Sequence, residues 1–129
     1  MTNELLIKKR KIIVVAHIKG INDTRNFNFI LDTGATKTII DDGLATTLGF
    51  DLKRLKKGDK LMTAGGSVHS KILKFPKFSL FGKDFVNFEV NVIKFPPQIT
   101  LLADGLIGMD FLLQFRNIKF DFDAKTIET

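Results

Sequence analysis

The sequence predicts a mostly β fold with one or two short helices. Apolar residues alternate with polar ones, or gather in short unbroken runs, along most of the chain. Gly, Asn, Asp and Pro clusters punctuate those runs. Helical spacing is confined to two short stretches, near residues 42–48 and 110–114. At 129 residues the chain has the length of one domain, residues 1–129, with no internal repeat and no linker.

Residues 12–18 (Ile-Ile-Val-Val-Ala-His-Ile) form a β-rich run closed by Gly20 and the polar turn 22–25. Residues 26–31 alternate Asn-Phe-Asn-Phe and then become fully apolar, the pattern of a strand entering a core. Together they read as a hairpin whose second arm delivers Asp32 to a loop. Thr38, Ile39 and Ile40 make a further short strand. Asp41 or Asp42 can cap a helix reaching about Leu48, with Leu44, Ala45 and Leu48 on one face and Gly49 as the stop. Residues 61–70 have two short arms about Gly65-Gly66, where glycine permits the positive φ of a tight hairpin. Residues 74–93 form a second hairpin turning at Gly82-Lys83-Asp84, with Phe75, Phe78 and Leu80 on one arm and Phe88, Val90 and Val92 on the other. Pro96-Pro97-Gln98 breaks it. Residues 101–107 lead into Gly108 and a short helix, and residues 117–122 alternate Ile118, Phe120 and Phe122 as a terminal strand.

Composition narrows the classes of function. A hydrophobic fraction of 44% supports a real core. There are 13 Phe and no Tyr or Trp, and Phe75, Phe78, Phe81, Phe85, Phe88 and Phe95 fall in one region, which favours packing over an aromatic binding platform. A net charge of +6 raises nucleic acid as a partner. The basic residues are mostly scattered Lys with no Arg-rich arm, so solvated strand faces are expected and no nucleic-acid partner. The Lys8-Lys9-Arg10-Lys11 cluster suits an edge strand guarded against aggregation. No apolar run is long enough for a spanning helix, so no membrane partner is expected. Glu4 and the basic cluster argue against a signal peptide. The absence of Cys removes disulfides and thiolate metal sites and suits a reducing compartment, so the expected location is cytoplasmic. His17 and His69 have no metal-ligand spacing about them, and neither a metal nor a cofactor is expected.

The strongest chemical signal is Phe29-Ile30-Leu31-Asp32-Thr33-Gly34-Ala35-Thr36, which sets one carboxylate in a small-residue loop straight after a buried strand. A second landmark follows, Asp104-Gly105-Leu106-Ile107-Gly108-Met109-Asp110-Phe111-Leu112. Asp-Thr-Gly between apolar residues, followed by an apolar-apolar-Gly element before a short helix, resembles the active-site framework of aspartic proteases. From about residue 11 to residue 121 the chain resembles their single-lobe, retropepsin-like members. That resemblance implies a closed, barrel-like retropepsin (acid protease) lobe and makes residues 61–70 the flap that closes over substrate. Two departures set the chain apart from many retroviral members: Thr36 stands where they carry an acid, and Met109 where they carry an Arg. The ion pair those two groups form is therefore absent. Together with the helix after the Asp32 loop, this places the chain nearer bacterial and cellular members.

Chemistry of this class needs two carboxylates sharing a proton, because two like charges in contact do not both ionise. This chain has one Asp-Thr-Gly and is too short for two lobes. A homodimer is therefore required for activity, with the two Asp32 carboxylates meeting on a two-fold axis. Terminal strands such as 117–122 are candidates for the contact. The resemblance assigns Asp32, Thr33 and Gly34 as catalytic: Asp32 activates water, Thr33 hydrogen-bonds across the pair, and the Gly34 amide donates to a carboxylate. It assigns Ala35, Thr36, Ala64, Gly65, Gly66, Leu106 and Ile107 to substrate binding, with Leu106, Ile107 and Gly108 also packing behind the catalytic loop. The expected activity is aspartic-type endopeptidase action on a peptide or protein bound in extended form. The alternative is a catalytically silent retropepsin-like module that binds peptide or assembles without cleaving, since a fold does not confer activity.

Overall fold

The computed structural model describes residues 1–63 and 65–129. In chain order the strands and helices are β1 (Thr2–Glu4), β2 (Leu6–Lys8), β3 (Lys11–Lys19), β4 (Thr24–Leu31), β5 (Ile39–Asp41) and α1 (Asp42–Thr47). A 3-10 turn (Leu52–Arg54) leads to β6 (Lys56–Thr63), β7 (Gly66–Leu80), β8 (Lys83–Ile93) and α2 (Pro97–Thr100). The chain closes with β9 (Gly105–Ile107), α3 (Met109–Leu112), β10 (Lys119–Asp121) and β11 (Thr126–Glu128).

Pairing runs β3–β4–β9–β5–β8–β7 and returns to β3, so six strands form a ring. The return uses only the C-terminal half of β3, where His17, Ile18 and Lys19 face Ser79, Phe78 and Lys77. The N-terminal half of the same edge is taken by β2. This ring-like, mostly β architecture is the one the sequence predicts. Its interior is filled by the alternating residues of β3 (Val14, Ala16, Ile18), by Phe29 and Ile40, and by Leu44, Ala45 and Leu48 of the α1 segment. Phe78 is central: its ring stands 5.6 Å from Phe29 edge-on, 5.0 Å from Phe88 and 5.7 Å from Phe111. Such edge-to-face aromatic packing adds about 0.5–1.5 kcal/mol per pair beyond area burial. A second, smaller cluster (Ile13, Ile30, Ala103) lies apart from the main core. Residues of β3 and β4 thus enter both clusters, which explains the unbroken apolar run before Asp32.

Several boundaries differ from expectation for physical reasons. Residues 66–80 are one long strand, so the two expected hairpins share their middle arm. The second hairpin turns at Phe81-Gly82, not Gly82-Lys83-Asp84, with φ of 54° and 73°. Phe81 tolerates that left-handed backbone because its ring is buried against Phe111 and Phe115. The Pro96-Pro97 break also starts a helix: Pro97 is the first helical residue, where its missing N–H costs nothing. Residues 2–4 and 126–128 pair with each other across the whole chain length, Thr2 opposite Glu128, and β10 joins on the far side of β11. Among the described residues no helix is long and apolar enough to cross a membrane.

Candidate active site

Three short strands build the site. β4 and β9 run parallel, with Ile30 opposite Leu106 and Leu31 opposite Ile107. β5 then returns antiparallel on the other edge of β9, Ile39 opposite Leu106. The loop between β4 and β5 carries Asp32-Thr33-Gly34-Ala35-Thr36-Lys37, so both of its ends are clamped to the same central strand. The Asp32 amide donates to the Ile107 carbonyl (2.9 Å), and the Ala35 amide to the Asp32 carbonyl (3.1 Å). The Asp32 side chain is fixed by its own loop, the Gly34 amide donating to Oδ1 at 2.9 Å. Asp32 and Ala35 are half-buried, whereas Thr33, Gly34 and Thr36 are exposed.

The loop is also tied to α3. The Met109 amide donates to the Ala35 carbonyl (2.8 Å), and the Asp110 amide to the Thr36 carbonyl (3.1 Å). Gly108 makes this approach possible. A Cβ there would lie 2.5 Å from the Lys37 carbonyl group and 2.9 Å from the Ala35 oxygen, both backbone. Gly108→Ala is therefore expected to destabilise by about 1–3 kcal/mol, as overpacking does, and a denaturant melt checks it.

Beneath the loop lies a pairing that the sequence reading missed. Asp110 accepts from the Thr38 amide (3.0 Å) and the Thr38 hydroxyl (2.8 Å), and the Gly108 amide donates to the same hydroxyl oxygen (3.2 Å). Thr38 is fully buried. An Asp two residues after the apolar-apolar-Gly element was the available signal, but its partner is 72 residues away in sequence.

A cleft of about 1100 Å³ opens beside Asp32. Gly34, Ala35, Thr36, Ile39 and Leu106 line it from the strand side, and Leu61, Met62, Thr63, Gly65 and Val68 from the β6–β7 hairpin. Gly66 has φ of 109°, the left-handed value that this hairpin turn requires of glycine. The Thr63 hydroxyl braces the turn by donating to the Gly66 carbonyl (2.8 Å). Met62 is 82% exposed near the tip. Ala64, expected to touch substrate, lies outside the described residues. Ile107 requires a correction: it is 0% exposed and packs in the main core, so it cannot meet substrate. Strand alternation sends Leu106 to the cleft and Ile107 behind it.

One titrating group sits under this framework. Burial pushes the Asp104 carboxyl above its ordinary value, the Asn28 amide pulls it back, and the Asp41 carboxylate adds to the rise. The folded chain therefore binds more protons than the unfolded one just above the ordinary Asp value, and that contribution to stability is lost as pH rises through the folded value. Asp104→Asn keeps an acceptor for the Asn28 amide (3.3 Å). It is expected to raise Tm at pH 7 relative to wild type, with the gain vanishing in acid below the ordinary carboxyl range. Thermal melts at both ends of that range check the sign.

A ring-like β lobe with an Asp-Thr-Gly loop clamped beneath a hairpin-covered cleft defines a retropepsin-like aspartic protease fold. The chain belongs to the aspartyl protease family, whose model, described as "Aspartyl protease", matches residues 16–111. Among solved structures it is similar to a retropepsin-like aspartic protease from Rickettsia conorii, at 22% identity and a TM-score of 0.73, covering 98% of this chain and 88% of that one. It is also similar to the EIAV protease solved with the inhibitor HBY-793, at 21% identity and a TM-score of 0.64, covering 82% of this chain and 88% of that one. Of these two, the bacterial structure has the higher TM-score. No curated protein sequence matches the chain significantly.

Proposed function

We propose that residues 1–129 act as one aspartic endopeptidase domain that is competent only as a homodimer. The observation that carries this reading is the placement of Asp32: half-buried, held by the Gly34 amide, and bordering a cleft with room for an extended peptide. In a two-fold dimer the Asp32 carboxylates of the two protomers share one proton. The ionised member takes a proton from a water that attacks the scissile carbonyl, and the protonated member hydrogen-bonds the carbonyl oxygen. The proton then passes to the leaving amine, and no cofactor takes part. Thr33, exposed beside Asp32, hydrogen-bonds its counterpart in the partner protomer. Gly34, Ala35 and Thr36 contact the peptide backbone from the floor, and Gly65 and Gly66 from the β6–β7 hairpin. Leu106 receives an apolar side chain next to the cleaved bond. The lack of Cys suits work in a reducing compartment such as the cytoplasm.

Dilution tests the dimer requirement. Cleavage of an unfolded peptide mixture should fall faster than linearly as protein concentration drops, approaching a square law once the dimer dissociates. Specific activity that is constant on dilution would make the monomer the catalyst and end the proposal. Peptide binding with no cleavage at any concentration would indicate a silent binding module.

A further inference from the structure

The cleft is lined mainly by apolar residues together with three exposed lysines. Ile39, Leu106, Val68 and Phe95 contribute apolar lining, while Lys37, Lys60 and Lys94 border it. Asp32 is the one acid among the described lining residues. The three lysines come from separate elements: Lys37 closes the Asp32 loop, Lys60 lies on β6, and Lys94 directly follows β8. All three are exposed. Lys37 Nζ stands 3.9 Å from Asp59 Oδ2, but that carboxylate is 85% exposed and such a pair is worth little. Among the described residues, no ion pair engages Lys60 or Lys94.

We propose that this cleft selects peptides carrying apolar side chains at its centre and Asp or Glu side chains further out on both sides. The inference rests on the reading of the cleft as a peptide-cleaving site. An extended strand advances about 3.3 Å per residue and turns its side chains alternately to each face. In the proposed binding mode, residues at the scissile bond lie over Leu106 and Ile39, and residues a few positions out reach the exposed lysines. Low-dielectric walls concentrate the lysine field in the cleft. A two-fold partner repeats the three cations on the other side, so both ends of the peptide meet positive charge. Lysine is a mobile point charge without a fixed fork, so Asp and Glu are accepted alike.

The test uses the Asp32→Asn protein and three fluorescent peptides with one apolar centre and Glu, Gln or Lys at the outer positions. Fluorescence anisotropy at low salt is expected to give the Glu peptide about tenfold tighter binding than the Gln peptide, with the Lys peptide weakest. The spread should contract in high salt. The doubly reversed Lys37→Glu, Lys94→Glu protein, shown folded by its thermal melt, should invert the order. Equal affinity for the three peptides, or an order unchanged by the double reversal, overturns the proposal. Wild-type cleavage is read separately. Asp32-dependent cleavage of all three at equal rates overturns acidic selection and leaves the protease reading standing. Ordered binding with no cleavage supports the selection and removes the protease reading.

Discussion

Asp32→Asn is expected to leave a folded, dimerising protein whose peptide hydrolysis has fallen by at least about 10³-fold. A single general base contributes roughly 10²–10⁴-fold, and in the proposed homodimer one substitution removes both members of the pair. The fold should persist because the change is nearly isosteric and the contacts fixing the loop are kept. The Asp32 amide still donates to Ile107, and an amide oxygen can still accept from the Gly34 amide. What is lost is the ability to hold a proton taken from water. The readouts are kcat/KM on a cleaved peptide, Tm, and the dimer fraction by sedimentation. A mixed dimer of one wild-type and one Asp32→Asn protomer sharpens the result, because the shared-proton scheme requires it to be impaired as well. Retention of more than about a tenth of wild-type activity by the homodimeric variant would remove Asp32 from the chemistry.

Local patterns made much of this molecule readable from its sequence. The apolar run ending at Leu31 marks a strand whose residues enter two clusters, and the small residues after it mark the loop. Asp41 caps α1 as its position suggests, its Oδ2 accepting from the Gly43 amide at 3.0 Å. Its other oxygen accepts from the Phe95 amide (2.8 Å), a contact 54 residues away that no local rule reveals. The same limit hid β1. It has three residues and pairs with β11 at the other end of the chain, whereas β2 and β11, equally short, sit in local hairpins with β3 and β10 and are too brief to display an alternating pattern. The misplacement of Ile107 arose differently. Leu106 and Ile107 are equally apolar, and which of them faces the cleft is set by the register of β9 between β4 and β5. The same non-local register brings Asp110 to Thr38.

That pairing carries the second large effect. Asp110→Ala is expected to destabilise the fold by about 3 kcal/mol, since a buried donor left without a partner costs roughly 1–3 kcal/mol and two are orphaned here. The Thr38 amide and hydroxyl both donate to Asp110, in a residue with no exposure to water. A third donor is affected indirectly. The Gly108 amide is held by the Thr38 hydroxyl oxygen, whose orientation Asp110 sets. The damage should therefore reach the Asp32 loop, because Gly108, Met109 and Asp110 pack against or bond to residues 35–37. Loss of activity should exceed what the unfolded fraction accounts for, appearing in kcat of the folded enzyme as Asp32 leaves its narrow working geometry. Asp110→Asn, which keeps one acceptor oxygen, should fall between wild type and alanine. Thr38→Val removes the hydroxyl from the other side, so a double-mutant cycle with Asp110→Ala measures the coupling directly. Strict additivity would mean that Asp110 and Thr38 stabilise the site independently. A coupling of about 1 kcal/mol or more would identify them as the joint that holds the Asp32 loop to α3.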